Sequence, residues 1–232
     1  MIRLDKILSH MGYGSRKEVK DIIRKGYVLV NGQTIYNDDF KVCEENDNIQ
    51  IDGENINYES LVYIMLNKPS GVVSATYDPK YQTVCDLCNE YRKMKIFPVG
   101  RLDIDTEGLL LLTNDGILAH KLLSPKYHVD KKYYVEFEGV FKASFIDDFK
   151  NGIVIDDGYK CLEAKCELLE SNKAFLTIHE GKFHQVKRMF EALGMRVTYL
   201  KRVSFGDVFL DENLKLGEYR KLTVAELNSI KD

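Results

Sequence analysis

The succession of hydrophobic periods predicts an α+β chain. A small N-terminal α/β module precedes a larger domain with a mixed, mostly antiparallel sheet and flanking helices. Three observations carry this prediction. Helical and alternating patterns follow one another without the regular strand–helix–strand beat of a doubly wound sheet. A short polar stretch, Asp52 to Ser60, parts the N-terminal segment from the rest and reads as a linker. No internal repeat of fixed period runs along the 232 residues.

Taken in order, Leu4, Ile7 and Leu8 recur at helical spacing within residues 3 to 10, and Gly12 and Gly14 end that helix. Ser15 then stands as an N-cap with Glu18 three residues on, the pattern of a capping box. The helix it opens sets Val19, Ile22 and Ile23 on one face, with Arg16, Lys17, Lys20, Arg24 and Lys25 largely around the others. Gly26 closes it. Val28–Val30 reads as a strand running into a hairpin turn at Asn31-Gly32, a pair that accepts the positive φ of a type I′ turn. A unit this small is expected to bury little core alone. The expected division is residues 1–58 for the module and 59–232 for the second domain. In the latter, Leu61–Asn67, Gly108–Thr113, Tyr133–Phe137 and Ala174–Ile178 read as strands. Asp115–Leu123, Phe141–Lys150 and His184–Leu193 read as helices.

Composition narrows the function classes. With 44% hydrophobic and 30% charged residues the chain is an ordinary globular one. Its longest run of large aliphatics, Leu109 to Leu112, falls far short of the ~20 residues of a membrane span. Residues Met1 to Lys6 carry charge at once and lead into no apolar stretch, so the expected compartment is the cytoplasm. The five cysteines are odd in number and irregular in spacing, as expected of reduced thiols. Cys85-x-x-Cys88 supplies only half of the about four ligands a structural zinc needs, and no second pair or nearby histidine completes it. No metal is expected.

The net charge of −3 hides an uneven distribution. Residues 1 to 30 hold seven basic groups against three acids; residues 31 to 60 hold Lys41 against eight acids, Glu45 among them. From Lys173 to Arg202 there are again seven basic groups against two acids. Two basic segments parted by an acidic one form local patches suited to nucleic acid, which whole-chain charge conceals. Solvated helix faces are the competing explanation.

Three segments concentrate chemistry. In Gly100-Arg101-Leu102-Asp103-Ile104-Asp105 a polar loop feeds a four-leucine strand, so an acid there has rigid support on one side and access on the other. Asp103 or Asp105 is either that positioned carboxylate or a turn cap. In Lys131-Lys132-Tyr133-Tyr134 the tyrosines face opposite sides of a strand, so one can pack while the other stacks on a nucleobase. In Glu180-Gly181-Lys182-Phe183-His184-Gln185-Val186-Lys187-Arg188-Met189-Phe190, Val186, Met189 and Phe190 form an apolar helix face with Leu193, from which Gln185 and Arg188 project away. Lys187 beside that stripe either pairs with a buried carboxylate or snorkels to solvent.

Together these segments resemble the RsuA-type pseudouridine synthases over nearly the whole chain. Met-x-Arg3-Leu4-Asp5-Lys6-x-Leu8, Gly14-Ser15-Arg16-Lys17-Glu18 and Gly26-Tyr-Val-Leu-Val-Asn31-Gly32 resemble the S4 RNA-binding module. Asn67-Lys68-Pro69-x-Gly71, Gly100-Arg101-Leu102-Asp103, Lys131-x-Tyr133-x-Val135 and the Gly181–Met189 segment resemble the synthase motifs in family order. The resemblance implies conversion of a uridine in RNA to pseudouridine, without cofactor or metal. It places the essential aspartate on Asp103, not Asp105, and the stacking tyrosine on Tyr133. The cation paired with the aspartate falls on Lys187, where related families also use arginine.

It also implies RNA contacts by Arg3, Ser15, Arg16, Lys17, Lys20, Arg24 and Lys25 in the module. Lys68, Arg101, Lys182, His184, Gln185 and Arg188 are the corresponding expectation near the reacting centre. The S4 module, and a chain ending at Asp232 without a long basic extension, point to the uridine-516 site of small-subunit 16S rRNA, alone or in an assembling subunit. A 23S rRNA synthase of the same family is the alternative. A non-catalytic ribosome-assembly factor would carry the same basic patches, but has no need of Asp103, Tyr133 and Lys187 together.

Overall fold

The computed structural model describes residues 1–44, 46–56 and 58–231. Glu45 of the acidic run, Asn57 of the expected linker and the terminal Asp232 lie outside that description. The chain divides into two compact units, Met1–Val62 with Glu90–Ile96, and Tyr63–Asn89 with Phe97–Asp232.

The first unit runs β1 (Ile2–Arg3), α1 (Leu4–His10), α2 (Arg16–Arg24), β2 (Val28–Val30), β3 (Gln33–Ile35), β4 (Lys41–Val42), β5 (Ile49–Ile51) and β6 (Glu54–Ile56). Ser15 caps α2 through both arms of the box: its N–H donates to Glu18 Oε2 at 2.7 Å, and the Glu18 N–H donates to its Oγ at 3.4 Å. Asn31 and Gly32, at φ +51° and +78°, turn β2 back onto β3. Strands β3-β2-β5-β6 form a four-stranded antiparallel sheet.

Two expectations are corrected here. The polar run assigned to a linker contains a hairpin, with Asp52-Gly53 turning β5 into β6. The unit is also better packed than its first helices suggest. Leu4, Ile7, Leu8, Val19 and Ile23 from the helices meet Val28, Val30, Ile49, Ile51 and Ile56 from the sheet in one buried cluster. The strands not foreseen, β5 and β6, add Ile49, Ile51 and Ile56 to that core.

The second unit runs β7 (Tyr63–Lys68), α3 (Val84–Leu87), β8 (Phe97–Pro98), β9 (Glu107–Thr113), α4 (Gly116–Leu123), β10 (Lys131–Glu138) and α5 (Phe145–Asn151). It continues with β11 (Lys165–Glu170), β12 (Lys173–Ile178), α6 (Gln185–Ala192), β13 (Arg196–Phe205), β14 (Val208–Phe209), β15 (Tyr219–Lys221) and α7 (Val224–Lys231). Its sheet has the order β11-β12-β10-β13-β9-β7-β15, with β14 on β13 and β8 on β9. Among the described residues the pairs are antiparallel except β13 with β9. This is the α+β class with the mixed, mostly antiparallel sheet that the sequence predicts.

β9 is buried on both faces, which explains four leucines in succession along it. Leu109 and Leu111 pack with Leu118 and Leu122 of α4, Met65 of β7 and Ile230 of α7. Leu110 and Leu112 are equally buried. Elsewhere Phe190 of α6 sits 5.1 Å from Phe137 and 5.3 Å from Phe149 between ring centroids.

The helix expected from Phe141 begins only at Phe145, and the one expected from His184 begins at Gln185. The parallel contact of β9 with β13 depends on one glycine. A Cβ on Gly108 would stand 2.3 Å from the Arg202 carbonyl oxygen, and its φ of +97° disfavours any side chain.

Candidate active site

The loop ahead of β9 is fixed from beneath. Lys68, at the end of β7, is fully buried, and its Nζ donates to the carbonyls of Pro69 (3.1 Å), Asp103 (3.0 Å), Ile104 (3.3 Å) and Thr106 (2.8 Å). Ser74 clamps the same loop, its Oγ donating to the Leu102 carbonyl at 2.9 Å and accepting the Leu102 N–H at 3.0 Å. The Thr106 N–H closes a turn on the Asp103 carbonyl at 3.1 Å. A backbone held at this many points gives the Asp103 side chain one direction.

That direction is into an open pocket of about 390 Å³, lined by Asp103, Arg101, Thr106, Tyr133, Ile178, Lys182, His184, Gln185, Val186 and Leu200 among others. Tyr133 comes from β10 and is buried, while Tyr134 on the opposite face bonds Glu136 at 2.7 Å and packs on Phe175 and Tyr199. Lys187 on α6 reaches Asp103 Oδ2 at 3.1 Å and Asp105 Oδ1 at 2.6 Å. His184, in left-handed conformation, brings Nε2 to 3.7 Å from Asp103 Oδ1 and stacks on Phe183 at 3.8 Å. The two acids differ in placement. Asp103 lines the pocket with its side chain 24% exposed, whereas Asp105 stands outside it at 63%.

Burial works against the Lys187 charge, but hydrogen bonds to Asp105 and Asp103 and the charge of both carboxylates outweigh it and hold its pKa above the ordinary value. Burial likewise opposes the Asp105 charge, and the Lys187 hydrogen bond overcomes it, leaving that carboxyl below its usual range. Lys68 goes the other way. Burial pushes its amine down to about 8, against the pull of Asp105, Asp103 and Glu107.

An alkaline limit follows. As pH rises through about 8, Lys68 loses the charge that binds the Asp103 loop, and kcat is expected to fall with a midpoint near there. Unfolding does not explain such a fall. The folded pKa lies below the ~10.4 of an exposed lysine, so the unfolded chain binds more protons between these values and this group's contribution to stability increases with pH. The limb should persist in Lys131→Met, which removes the other buried amine pushed down to about 8. A kcat profile flat to pH 9.5 would show that the Lys68 charge is dispensable.

Several residues expected at RNA are placed differently. Lys68 is an internal brace with no surface to offer. Gln185 does not project from its helix: it is buried, its Oε1 accepting the Lys182 N–H at 2.9 Å and its Nε2 donating to Glu180 Oε1 at 2.8 Å. The Arg188 guanidinium is held by Asp156 and Asp157. The Ser15 hydroxyl is taken up in its helix cap. Arg101, Lys182 and His184 do line the pocket.

In the first unit Arg3, Lys6, Arg16 and Lys20 line a concavity with Asp5. Acids of the following segment neutralise part of the basic face, Arg24 and Lys20 meeting Asp38 at 2.6 and 3.7 Å and Arg3 meeting Asp39. Arg16, Lys17 and Lys25 are exposed and, among the described residues, have no carboxylate within ion-pair distance.

Sequence reasoning gave no role to two buried charged residues. Glu180, at the head of the third segment, accepts from the Tyr159 hydroxyl, the Leu162 N–H and Gln185 Nε2, each at 2.8 Å, and so ties the loop before α6 to the segment around Tyr159 and Leu162 and to Gln185. Arg202, fully enclosed on β13, pairs in register with Tyr133, donates from Nε to the Leu109 carbonyl at 2.7 Å and lies 5.0 Å from the Phe205 ring. A cation at an inward position of an alternating strand is the signal that could have revealed it. Cys85 and Cys88 are buried, and among the described residues no three His, Cys, Asp or Glu side chains gather as metal ligands.

Known proteins share this arrangement of units. The sequence model of the RNA pseudouridylate synthase family matches residues 62–192, and that of the S4 domain matches residues 2–49. An uncharacterized RNA pseudouridine synthase of Bacillus subtilis, YtzG, is 47% identical, covering all of this chain and 99% of its own length. The ribosomal large subunit pseudouridine synthase B of Bacillus subtilis and the ribosomal small subunit pseudouridine synthase A of Vibrio cholerae are each 39% identical, covering 96% and 99% of those proteins. A crystal structure of a pseudouridylate synthase, 37% identical, superposes with a TM-score of 0.71 over 99% of this chain. The chain belongs to the RNA pseudouridylate synthase family, as an isomerase that carries an S4 domain ahead of its catalytic domain.

Proposed function

We propose that this enzyme isomerises a uridine of ribosomal RNA in the cytoplasm, and that its target is the uridine-516 site of 16S rRNA. The observation that carries the reading is that Asp103 and Tyr133 line one pocket while Lys187 pairs with the Asp103 carboxylate at 3.1 Å. The reaction breaks the N1–C1′ bond, turns the uracil and rejoins it through C5; C5 loses its proton and N1 gains one, so no atom is added or lost overall. Asp103 reacts as the carboxylate, attacking C1′ or taking a 2′ proton, is released or returns that proton as the C1′–C5 bond is made, and is oriented by Lys187. The uridine must leave its stack, at a cost of a few kcal/mol, and Tyr133 offsets part of this by stacking on the displaced ring.

Relatives named for the small subunit support the 16S target. The 23S rRNA is the second reading, favoured by a large-subunit relative of equal identity. Tritium release from 5-³H-uridine-labelled 16S and 23S transcripts, free and in partly assembled particles, decides between them. Release from 16S alone supports the first reading, release from 23S alone the second, and none from any of the four rejects both.

The exposed cations of α2 supply the salt-dependent grip. Replacing Arg16, Lys17 and Lys25 by alanine is expected to flatten the plot of log K against log salt by about 0.7–0.9 per lost phosphate contact. Filter binding between 50 and 300 mM KCl measures it, and an unchanged slope would place the RNA elsewhere.

A further inference from the structure

Thr106 stands three residues past Asp103 and lines the same pocket. Its backbone is pinned on both sides, the N–H on the Asp103 carbonyl and the carbonyl on Lys68 Nζ. The residue is 1% exposed, yet among the described residues its Oγ1 has no hydrogen-bond partner. A buried hydroxyl left unpaired costs free energy in the folded protein, and such orphans are uncommon enough that each calls for a reason. A ligand that completes the bond is one.

The pocket lining offers both kinds of surface. Ile178, Val186, Leu200 and the Tyr133 ring supply apolar area that suits the flat face of uracil. Asp103, Arg101, Thr106, Lys182, His184 and Gln185 supply polar groups, and of these Asp103 and Thr106 share one loop. By either of its routes Asp103 acts on the ribose, at C1′ or C2′, so the sugar lies against that loop. There it presents its 2′-hydroxyl, which both donates and accepts a hydrogen bond.

We propose that Thr106 Oγ1 hydrogen-bonds the 2′-hydroxyl of the target uridine, making Thr106 the residue by which this site reads ribose at the reacting nucleotide. The inference rests on the assignment of this pocket to a flipped uridine.

Thr106→Val preserves volume and removes the hydroxyl; Thr106→Ser keeps it. Because Oγ1 has no partner among the described residues, Thr106→Val is expected to leave Tm unchanged or raise it, which separates a binding role from a structural one. The probes are the rRNA transcript that the wild-type enzyme modifies and the same RNA with one 2′-deoxyuridine at the target. Affinities are measured in the Asp103→Asn background so that turnover does not intervene.

Thr106→Val should weaken the ribose RNA about 10-fold and leave the deoxy RNA unchanged, while Thr106→Ser retains most of the affinity. Single-turnover rates of Thr106→Val with Asp103 intact should fall by a similar factor on the ribose RNA. Equal losses on both RNAs, or none on either, would overturn the proposal. Absence of wild-type turnover on every rRNA substrate would instead remove the functional reading beneath it, and the proposal with it.

Discussion

Asp103→Asn is expected to lower turnover by about 10⁴-fold or more, the scale on which loss of a reacting group acts, with RNA affinity changed only a few-fold. Asparagine fills the same volume but neither attacks C1′ nor takes a proton. The fold should tolerate it, because Lys187 keeps its bond to Asp105 and the loop keeps its ties to Lys68 and Ser74. Asp105→Asn is the matched control. It removes the closer of the two lysine partners from outside the pocket and should cost only a few-fold. Tritium release by the two variants side by side tests the assignment. If Asp105→Asn is the inactive one, Asp103 is the wrong acid.

The second large effect belongs to Lys187. Its ammonium bonds the Asp103 carboxylate at 3.1 Å and fixes its direction. Lys187→Ala is expected to reduce kcat by about 10²–10³-fold, comparable to losing one charge-stabilising donor, and Lys187→Arg by much less. Against burial, hydrogen bonds to Asp105 and Asp103 hold Lys187 above its ordinary value. Its charge is therefore lost only as pH rises through that raised value. Below that limit the titration of Lys187 should leave the ratio of wild-type to Lys187→Ala turnover flat. A ratio that collapses near neutrality would mean the lysine acts by giving up its proton instead.

Much of the fold was legible because its elements announce themselves by period and punctuation: the Ser15–Glu18 box, the Asn31-Gly32 turn and the Leu109–Leu112 strand. β13 was not, although it is the longest strand. Arg196, Lys201 and Arg202 made it read as part of a basic patch, whereas Arg202 points inward and is enclosed. Strands β5 and β6 have three residues each and lie in an acidic run, too little pattern to register. The site shows the same divide. The segments bearing Asp103, Tyr133 and Lys187 stood out because reactive side chains sit beside apolar runs. Lys68 and Gln185 were misread for one reason: their types favour water, and only the three-dimensional arrangement supplies the carbonyls and the Glu180 carboxylate that let them be buried.

The pairing of β9 with β13 also sets an order of events during synthesis. More than eighty residues separate the end of β9 at Thr113 from the start of β13 at Arg196. At about 5–20 residues per second, a ribosome takes on the order of 5–15 seconds to make them. Through that interval β7 covers one edge of the leucine-rich strand, while the other is paired only at its end by β8 and lacks β13 at Glu107 and Gly108, and a partly unpaired edge is prone to aggregate. The Asp103 loop gains its opposite wall only when Gly108 receives Arg202, so a catalytic pocket formed early in the sequence is completed late in time.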